Sequence, residues 1–258
     1  MPAPPLSPLF PFPAEVPVGD RTYAPEAVLD VLGPYLTDAR RARIDAVVAA
    51  RTFSVLPALE RVHDPGNVNA VLRSAEGLGF GAAALVDLDG DAAELVAQYE
   101  AGADDAALAG DRPIRRRQSQ GAHKWMHVRP HASPAAWARD ARARGYRIAV
   151  TALRVDARPI SAWDFSEPTA LVFGAEQDGA SGAMLELADE ALLLPLDGFV
   201  QSYNVSVAAA LALYHARQDR LARGRHADLA PREREVLTAH YVARGVPLAE
   251  PLLRRALG

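Results

Sequence analysis

The stretch Leu194–Ala210 joins an apolar strand end to a helix through a Pro/Gly turn, and Ser202, Asn204 and Ser206 crowd the expected helix start. One such side chain is enough to cap the free N–H groups of a helix terminus. Several of them, after a loop rich in backbone donors, also suit a site that holds a ligand through its main chain and an electron-rich substrate at the helix start. A second constellation runs from Glu60 to Arg73. A strand ends, Asp64-Pro65-Gly66 turns, and Asn67 opens a helix. As an N-cap, Asn67 has an ordinary structural explanation. Arg73, nearly two turns further along that helix, sits in an apolar stretch with Leu72 and Ala75, and a buried arginine needs an anionic partner. The third constellation, Leu171–Gly179, ends an apolar strand in Gly174 and Glu176 and turns at Gly179. Taken alone, Glu176 reads as a helix-flanking acid. At the carboxyl end of a parallel strand it stands where α/β sheets place ligands.

These residues need a sheet to hold them, and strands and helices alternate along the chain. Strands are expected at Phe53–Glu60, Ala82–Val86, His127–Pro130, Arg147–Leu153, Ala170–Phe173 and Glu190–Leu194. Helices are expected at Asn67–Leu78, Pro134–Arg144, Gly182–Leu187 and Ser202–Arg223. The alternation predicts an α/β fold, a mostly parallel sheet with helices on both faces. Helical spacing also marks Pro25–Leu32 and Asp38–Arg51 before this region, and Arg232–Arg244 and Leu248–Ala256 after it. The expected organisation is a proline-rich, poorly ordered leader over 1–22, a helical extension over 23–52, a main domain over 53–223 and a second helical extension over 224–258. An acidic, alanine-rich stretch followed by Arg115-Arg116-Arg117 reads as an insertion over 88–120.

With 258 residues, half of them hydrophobic, the chain is long enough for one sizeable core. No window reaches the apolar length of a membrane span, and the leader lacks the basic and apolar segments of a signal peptide. Zero cysteines exclude disulfides and thiolate metal sites and fit a cytoplasmic protein. The net charge of −4 argues against a uniformly basic nucleic-acid binder, so the distribution of arginines matters more than their sum. The glycines of Gly77-Leu78-Gly79-Phe80-Gly81 follow a helix and precede a strand, the reverse of a dinucleotide fingerprint, and read as a helix end and turn. That order counts against a nucleotide-dependent oxidoreductase, and no P-loop, HExxH or G-x-S-x-G motif is present.

The three constellations, in this order, resemble motifs one to three of the SpoU/TrmH branch of the SPOUT RNA methyltransferases. Gly121-Ala122-His123-Lys124-Trp125, Thr151-Ala152-Leu153-Arg154, Leu187-Ala188-Asp189 and the stretch from Tyr214 to Arg223 extend the likeness from Asp38 to Arg225. Tyr203 stands where the family usually has leucine, Leu196 where methionine is common, and Gly66 where histidine is frequent. The resemblance implies a C-terminal trefoil knot that binds S-adenosylmethionine, with Thr151, Leu194 and Tyr203 contacting it and Gly174 and Gly198 allowing close approach. It implies methyl transfer to a ribose 2′-OH of RNA. Arg73 would stabilise the developing charge, Asn67 and Glu176 would orient the site, and Ser202 and Asn204 would position the nucleotide. RNA would be captured by Arg40, Arg43, Lys124, Arg217 and Arg220. The family assembles its site from two subunits, so a homodimer is expected, with Asn67 and Arg73 across the interface. No metal and no membrane are implied. Short terminal extensions and the His-Lys-Trp segment favour the subtype acting on guanosine 18 of the tRNA D-loop. A ribosomal-RNA enzyme of the same family and a non-catalytic RNA-binding protein are the alternatives.

Overall fold

The computed structural model describes residues 4–88, 94 and 121–258. The chain divides into two compact units, Met1–Thr52 with Ala227–Gly258, and Phe53–His226. The first unit combines a hairpin of β1 (Val16–Val18) and β2 (Arg21–Tyr23) with helices α1 (Pro25–Leu32), α2 (Asp38–Ala49), α7 (Pro231–Gly245) and α8 (Ala249–Leu257). The expected disordered leader is corrected here for its described residues. Phe10, Phe12 and Val16 are buried, the Ser7 N–H donates to Glu233 at 2.9 Å, and Arg244 lies over the Phe12 ring. Two aromatic side chains and a valine give the proline-rich segment an apolar face, and proline costs an extended segment little entropy on ordering.

The second unit is built on a seven-stranded sheet. Its strands are β3 (Val55–Glu60), β4 (Ala82–Val86), β5 (His127–His131), β6 (Arg147–Thr151), β7 (Arg158–Pro159), β8 (Thr169–Phe173) and β9 (Glu190–Leu193). Their order is β5-β4-β3-β8-β6-β9-β7, and every neighbouring pair is parallel. Helices α3 (Pro65–Gly77) and α6 (Val205–Ala222) share one core with the sheet, where Val68, Val71 and Leu72 meet Leu59, Phe173, Ala209 and Leu213. The alternate strand residues Ile148, Val150, Ala170 and Val172 are equally buried but lie outside that core. Both faces of the sheet are therefore covered, as all-parallel sheets require. Helices α4 (Pro134–Ala143) and α5 (Gly182–Leu187) pack against each other and against β6.

Two details differ from the sequence reading in ways that matter for the site. Helix α3 starts two residues early, with Asp64 as its N-cap accepting from the Gly66 N–H, so Asn67 is not the cap. Helix α6 starts at Val205 with Asn204 as N-cap, which leaves Ser202 in the preceding loop. The hairpin and the two-residue β7 were not anticipated, because neither is long enough to carry a periodic signal. Of the expected insertion over 88–120, only Leu88, Glu94 fall among the described residues, and Arg115-Arg116-Arg117 lie outside them. Among the described residues, no helix is long and apolar enough to cross a membrane.

His240 on α7 is buried, and its Nε2–H donates to the Pro13 carbonyl at 3.0 Å. Burial holds the imidazole below its ordinary pKa, and the neighbouring Arg244 charge adds to that effect. The unfolded chain takes up this proton below about pH 6.5 while the folded chain resists it, so stability falls as pH drops through that value. The His240→Gln variant keeps a donor for Pro13 without the titration. Its melting temperature should fall less between pH 7.5 and pH 5 than that of the parent chain, measured by thermal unfolding.

Candidate functional site

Strand order reverses between β3 and β8, with β4 and β5 on one side and β6, β9 and β7 on the other. The carboxyl ends of strands at such a point form the ligand crevice of an open α/β sheet. Three chain segments meet there. From β3, the turn at Asp64 leads into α3. Asp64 uses Oδ1 to cap the Gly66 N–H at 2.8 Å and Oδ2 to accept from Asn67 Nδ2 at 3.1 Å. The other Nδ2 hydrogen of Asn67 donates to Glu176 Oε1 at 2.7 Å, and with the cap provided by Asp64 its Oδ1 is left to accept from elsewhere.

From β8, the chain passes through Gly174 into a tight loop closed by paired Ala175–Gly179 backbone hydrogen bonds, both 3.0 Å. A Cβ on Gly174 would lie 2.1 Å from the Ala180 nitrogen, and Gly179 adopts φ 68°. Both positions therefore call for glycine. From the start of α6, Asn204 caps with Oδ1, accepting from the Ser206 N–H at 3.0 Å and the Ser206 hydroxyl at 2.6 Å. Its Nδ2 donates to Glu176 Oε1 at 2.8 Å and to Asn67 Oδ1 at 3.3 Å. One carboxylate oxygen thus gathers two amides from two helix starts. An ionised carboxylate only accepts, so its charge orients both amide groups with nitrogen toward it.

Beside this cluster lies a cavity of about 360 Å³ at the carboxyl ends of β6, β8 and β9. Its apolar lining comes from Phe173, Leu185, Leu192, Leu194, Leu196 and Val205, and its polar rim from Thr151, Glu176, Asp178, Gln201, Ser202 and Tyr203. Thr151 Oγ1 donates to the Val172 carbonyl at 3.0 Å, which ties the β6 end to β8. The Tyr203 hydroxyl donates to the Pro195 carbonyl at 3.2 Å, so it closes the two ends of the 195–203 loop on each other. Of the residues expected to hold the cofactor, Thr151, Gly174, Leu194 and Tyr203 line this cavity. Gly198 does not, and a Cβ there would meet open space, so no close approach explains that glycine.

The structure corrects three expectations. Asn67 does not lie across a subunit boundary from Glu176 and Asn204; all three belong to one chain. Arg73 is exposed rather than buried and has no hydrogen bond or ion pair among the described residues. Six residues along α3 turn its side chain away from the face that carries Asn67. Arg220, expected to bind RNA, is buried at 1% exposure. Its guanidinium donates to the Phe165 carbonyl at 2.6 Å and to the Ser166 and Arg225 carbonyls. This is a structural use of a cation at a helix C-terminus. Arg40 and Arg43 are exposed on α2, and Lys124 and Arg217 are half-buried in the other unit. Asp64 was missed, although its spacing of three residues before Asn67 is that of a first-turn partner. Among the described residues, no group of three His, Asp or Glu side chains is placed to hold a metal ion.

The chain matches the family model described as the SpoU rRNA Methylase family over residues 103–214. It is 38% identical over 188 residues to the tRNA (guanosine(18)-2′-O)-methyltransferase of Thermus thermophilus, covering 73% of this chain and 87% of that relative. Its fold is similar to that of the Aquifex aeolicus TrmH/SpoU tRNA modifying enzyme, with a TM-score of 0.67 at 24% identity over 81% of this chain and 98% of that one. It is also similar to the SpoU methyltransferase AviRb from Streptomyces viridochromogenes in complex with AdoMet. There the TM-score is 0.52 at 26% identity, over 65% of this chain and 60% of that one.

Replacing Gly174 with alanine should force the 174–181 loop off the strand end. The expected loss of stability is about 1–3 kcal/mol, the range for overpacking a tight contact, measured by urea unfolding.

Proposed function

The chain belongs to the SpoU rRNA methylase family, and from that premise we propose that it transfers a methyl group from S-adenosylmethionine to the ribose 2′-OH of guanosine 18 in tRNA. The observation that carries the reading is the cavity at the carboxyl ends of β6, β8 and β9, opening beside the Asn67–Glu176–Asn204 cluster. Its volume of about 360 Å³ lies in the range of small-molecule sites. An apolar lining suits an adenine ring, and the Glu176 and Asp178 carboxylates at the rim suit a cationic sulfonium. Thr151, Leu194 and Tyr203 would hold the cofactor, as would the loop after Gly174 and the family's knotted chain path. When bound, S-adenosylmethionine would supply an electrophilic methyl group, its sulfur departing as a neutral thioether while the 2′-hydroxyl proton passes to water.

The remaining chemistry falls to the protein. Asn67 and Asn204, fixed by Glu176, set the edge against which the ribose rests, with Ser202 beside it on the loop. Holding the 2′-oxygen in line with the methyl group is a large share of such a reaction. Arg73 does not act as the base, because guanidinium stays protonated in proteins. Its exposed charge suits an RNA phosphate and the negative charge that develops on the 2′-oxygen. Because Arg73 turns away from Asn67 on α3, it serves the site of a second copy of the chain. A homodimer is supported by the exposed stripe of Val207, Leu211 and Tyr214 along α6, at 46, 44 and 55% exposure. Such an uncovered apolar helix face marks an interface. Arg40, Arg43, Lys124 and Arg217 supply cations for phosphate, with affinity that falls as salt rises. A tRNA substrate puts the enzyme in the cytoplasm.

The test is transfer of labelled methyl groups to unmodified tRNA, followed by alkaline hydrolysis, which leaves a resistant dinucleotide only where the 2′-oxygen is methylated. Arg73→Ala should lower turnover about 10²–10³-fold, the range for removing one charge-stabilising donor, and leave cofactor affinity unchanged. Near-normal turnover would refute the role of Arg73. Mixed with Asn204→Ala after joint refolding, it should recover about one quarter of parental activity, because half the dimers then hold one intact site. No recovery would refute the shared site.

A further inference from the structure

Glu60 ends β3 with a side chain at 0% exposure, and it does not line the cavity. A carboxylate in that position is costly unless its oxygens are hydrogen-bonded. Both oxygens are used on one residue: Oε1 accepts from the Ser181 hydroxyl at 2.5 Å and Oε2 from the Ser181 N–H at 2.9 Å. Ser181 closes the loop that begins at Gly174. It also caps α5, its Oγ accepting from the Met184 N–H at 3.1 Å. The contact of Gly174 with Ala180 and the Ala175–Gly179 pair shape the loop itself. Only the Ser181 bonds in this group tie the loop to β3, the strand that runs on to Asp64 and Asn67. The loop between them forms one wall of the cavity and carries Glu176.

We propose that Glu60 is a positioning residue whose two bonds to Ser181 anchor the 174–181 loop, so that this loop both walls the cofactor cavity and brings Glu176 onto Asn67 and Asn204. Glu60 touches neither the cavity nor the amides, and it acts through Ser181. The inference rests on the methyltransferase reading for its consequence, while the anchor itself is a property of the chain alone. An apolar replacement leaves the Ser181 N–H and hydroxyl without their buried acceptor. Glutamine restores two hydrogen bonds, accepting from the N–H and donating to Oγ.

The experiment uses the full chain as Glu60→Ala, Glu60→Gln and Ser181→Ala, beside the parent. Hydrogen exchange of residues 174–181 is followed without cofactor, and S-adenosylmethionine binding is measured by calorimetry. In Glu60→Ala, exchange in this loop should rise and affinity should fall, each by about tenfold, as expected for losing a hydrogen bond to a charged group. Exchange in β4 and β8 should stay slow. Glu60→Gln should remain within about threefold of the parent, and Ser181→Ala should move in the direction of Glu60→Ala. If Glu60→Ala does not fold, Ser181→Ala decides. Unchanged loop exchange in the alanine variants overturns the anchor. Faster exchange with unaltered affinity overturns its role in cofactor positioning. A parent chain that does not bind S-adenosylmethionine refutes the functional reading instead, and loop exchange still decides the anchor.

Discussion

Glu176 Oε1 accepts from Asn67 and from Asn204, amides that arrive on the first turn of one helix and at the cap of another. Each bond constrains a different part of the chain. The first requires that β3 end in a turn which Asp64 can cap, because Asp64 Oδ2 then accepts from Asn67 Nδ2 and holds that amide toward Glu176. The second requires that α6 begin at Val205, with Asn204 turning its oxygen to the helix and its nitrogen to the carboxylate. Glu176 itself sits on an exposed loop, where an isolated side chain would sample many rotamers. The close-packed neck at Gly174 and the half-buried foot at Ser181, held by the buried Glu60, limit that freedom.

Under the proposed function the same constraint links cofactor binding to substrate orientation. The cavity wall and Glu176 share one short loop, so under the proposed function a shift that opens the cavity would also loosen the amide edge. Binding and orientation would then be coupled through the backbone rather than through a charged relay. This suits a reaction in which alignment matters more than acid–base power. Under the proposed function it also accounts for the placement of Arg73 away from Glu176. A guanidinium beside Glu176 would form an ion pair with it and compete for the oxygen that holds both amides.

Much of this was legible from residue types and spacing. The alternation of strands and helices gave the parallel sheet, and the continuous apolar runs of β4 and β8 fit its two covered faces. Asn67 and Asn204 stood out at expected helix starts and Glu176 at a strand end, and the resemblance to the family motifs set the three together. Their mutual distances were not legible, because residues 67, 176 and 204 are brought together only by the strand order. Arg220 shows the opposite limit. Its charge and spacing match those of a surface arginine, and only the carbonyls of Phe165 and Ser166 reveal that it is structural. The packed N-terminal segment was misread for a related reason. Its prolines argue against helix and sheet, yet Phe10 and Phe12 anchor its first part without either, ahead of the hairpin at Val16.

Under the proposed function, this amide-edged site presents one ribose oxygen to the methyl donor. The most direct measurement compares methyl transfer to a tRNA that is entirely ribose with transfer to the same tRNA carrying 2′-deoxyguanosine at position 18. Removal of that single oxygen should abolish incorporation while leaving tRNA binding in place. Undiminished transfer to the deoxy substrate would contradict the account.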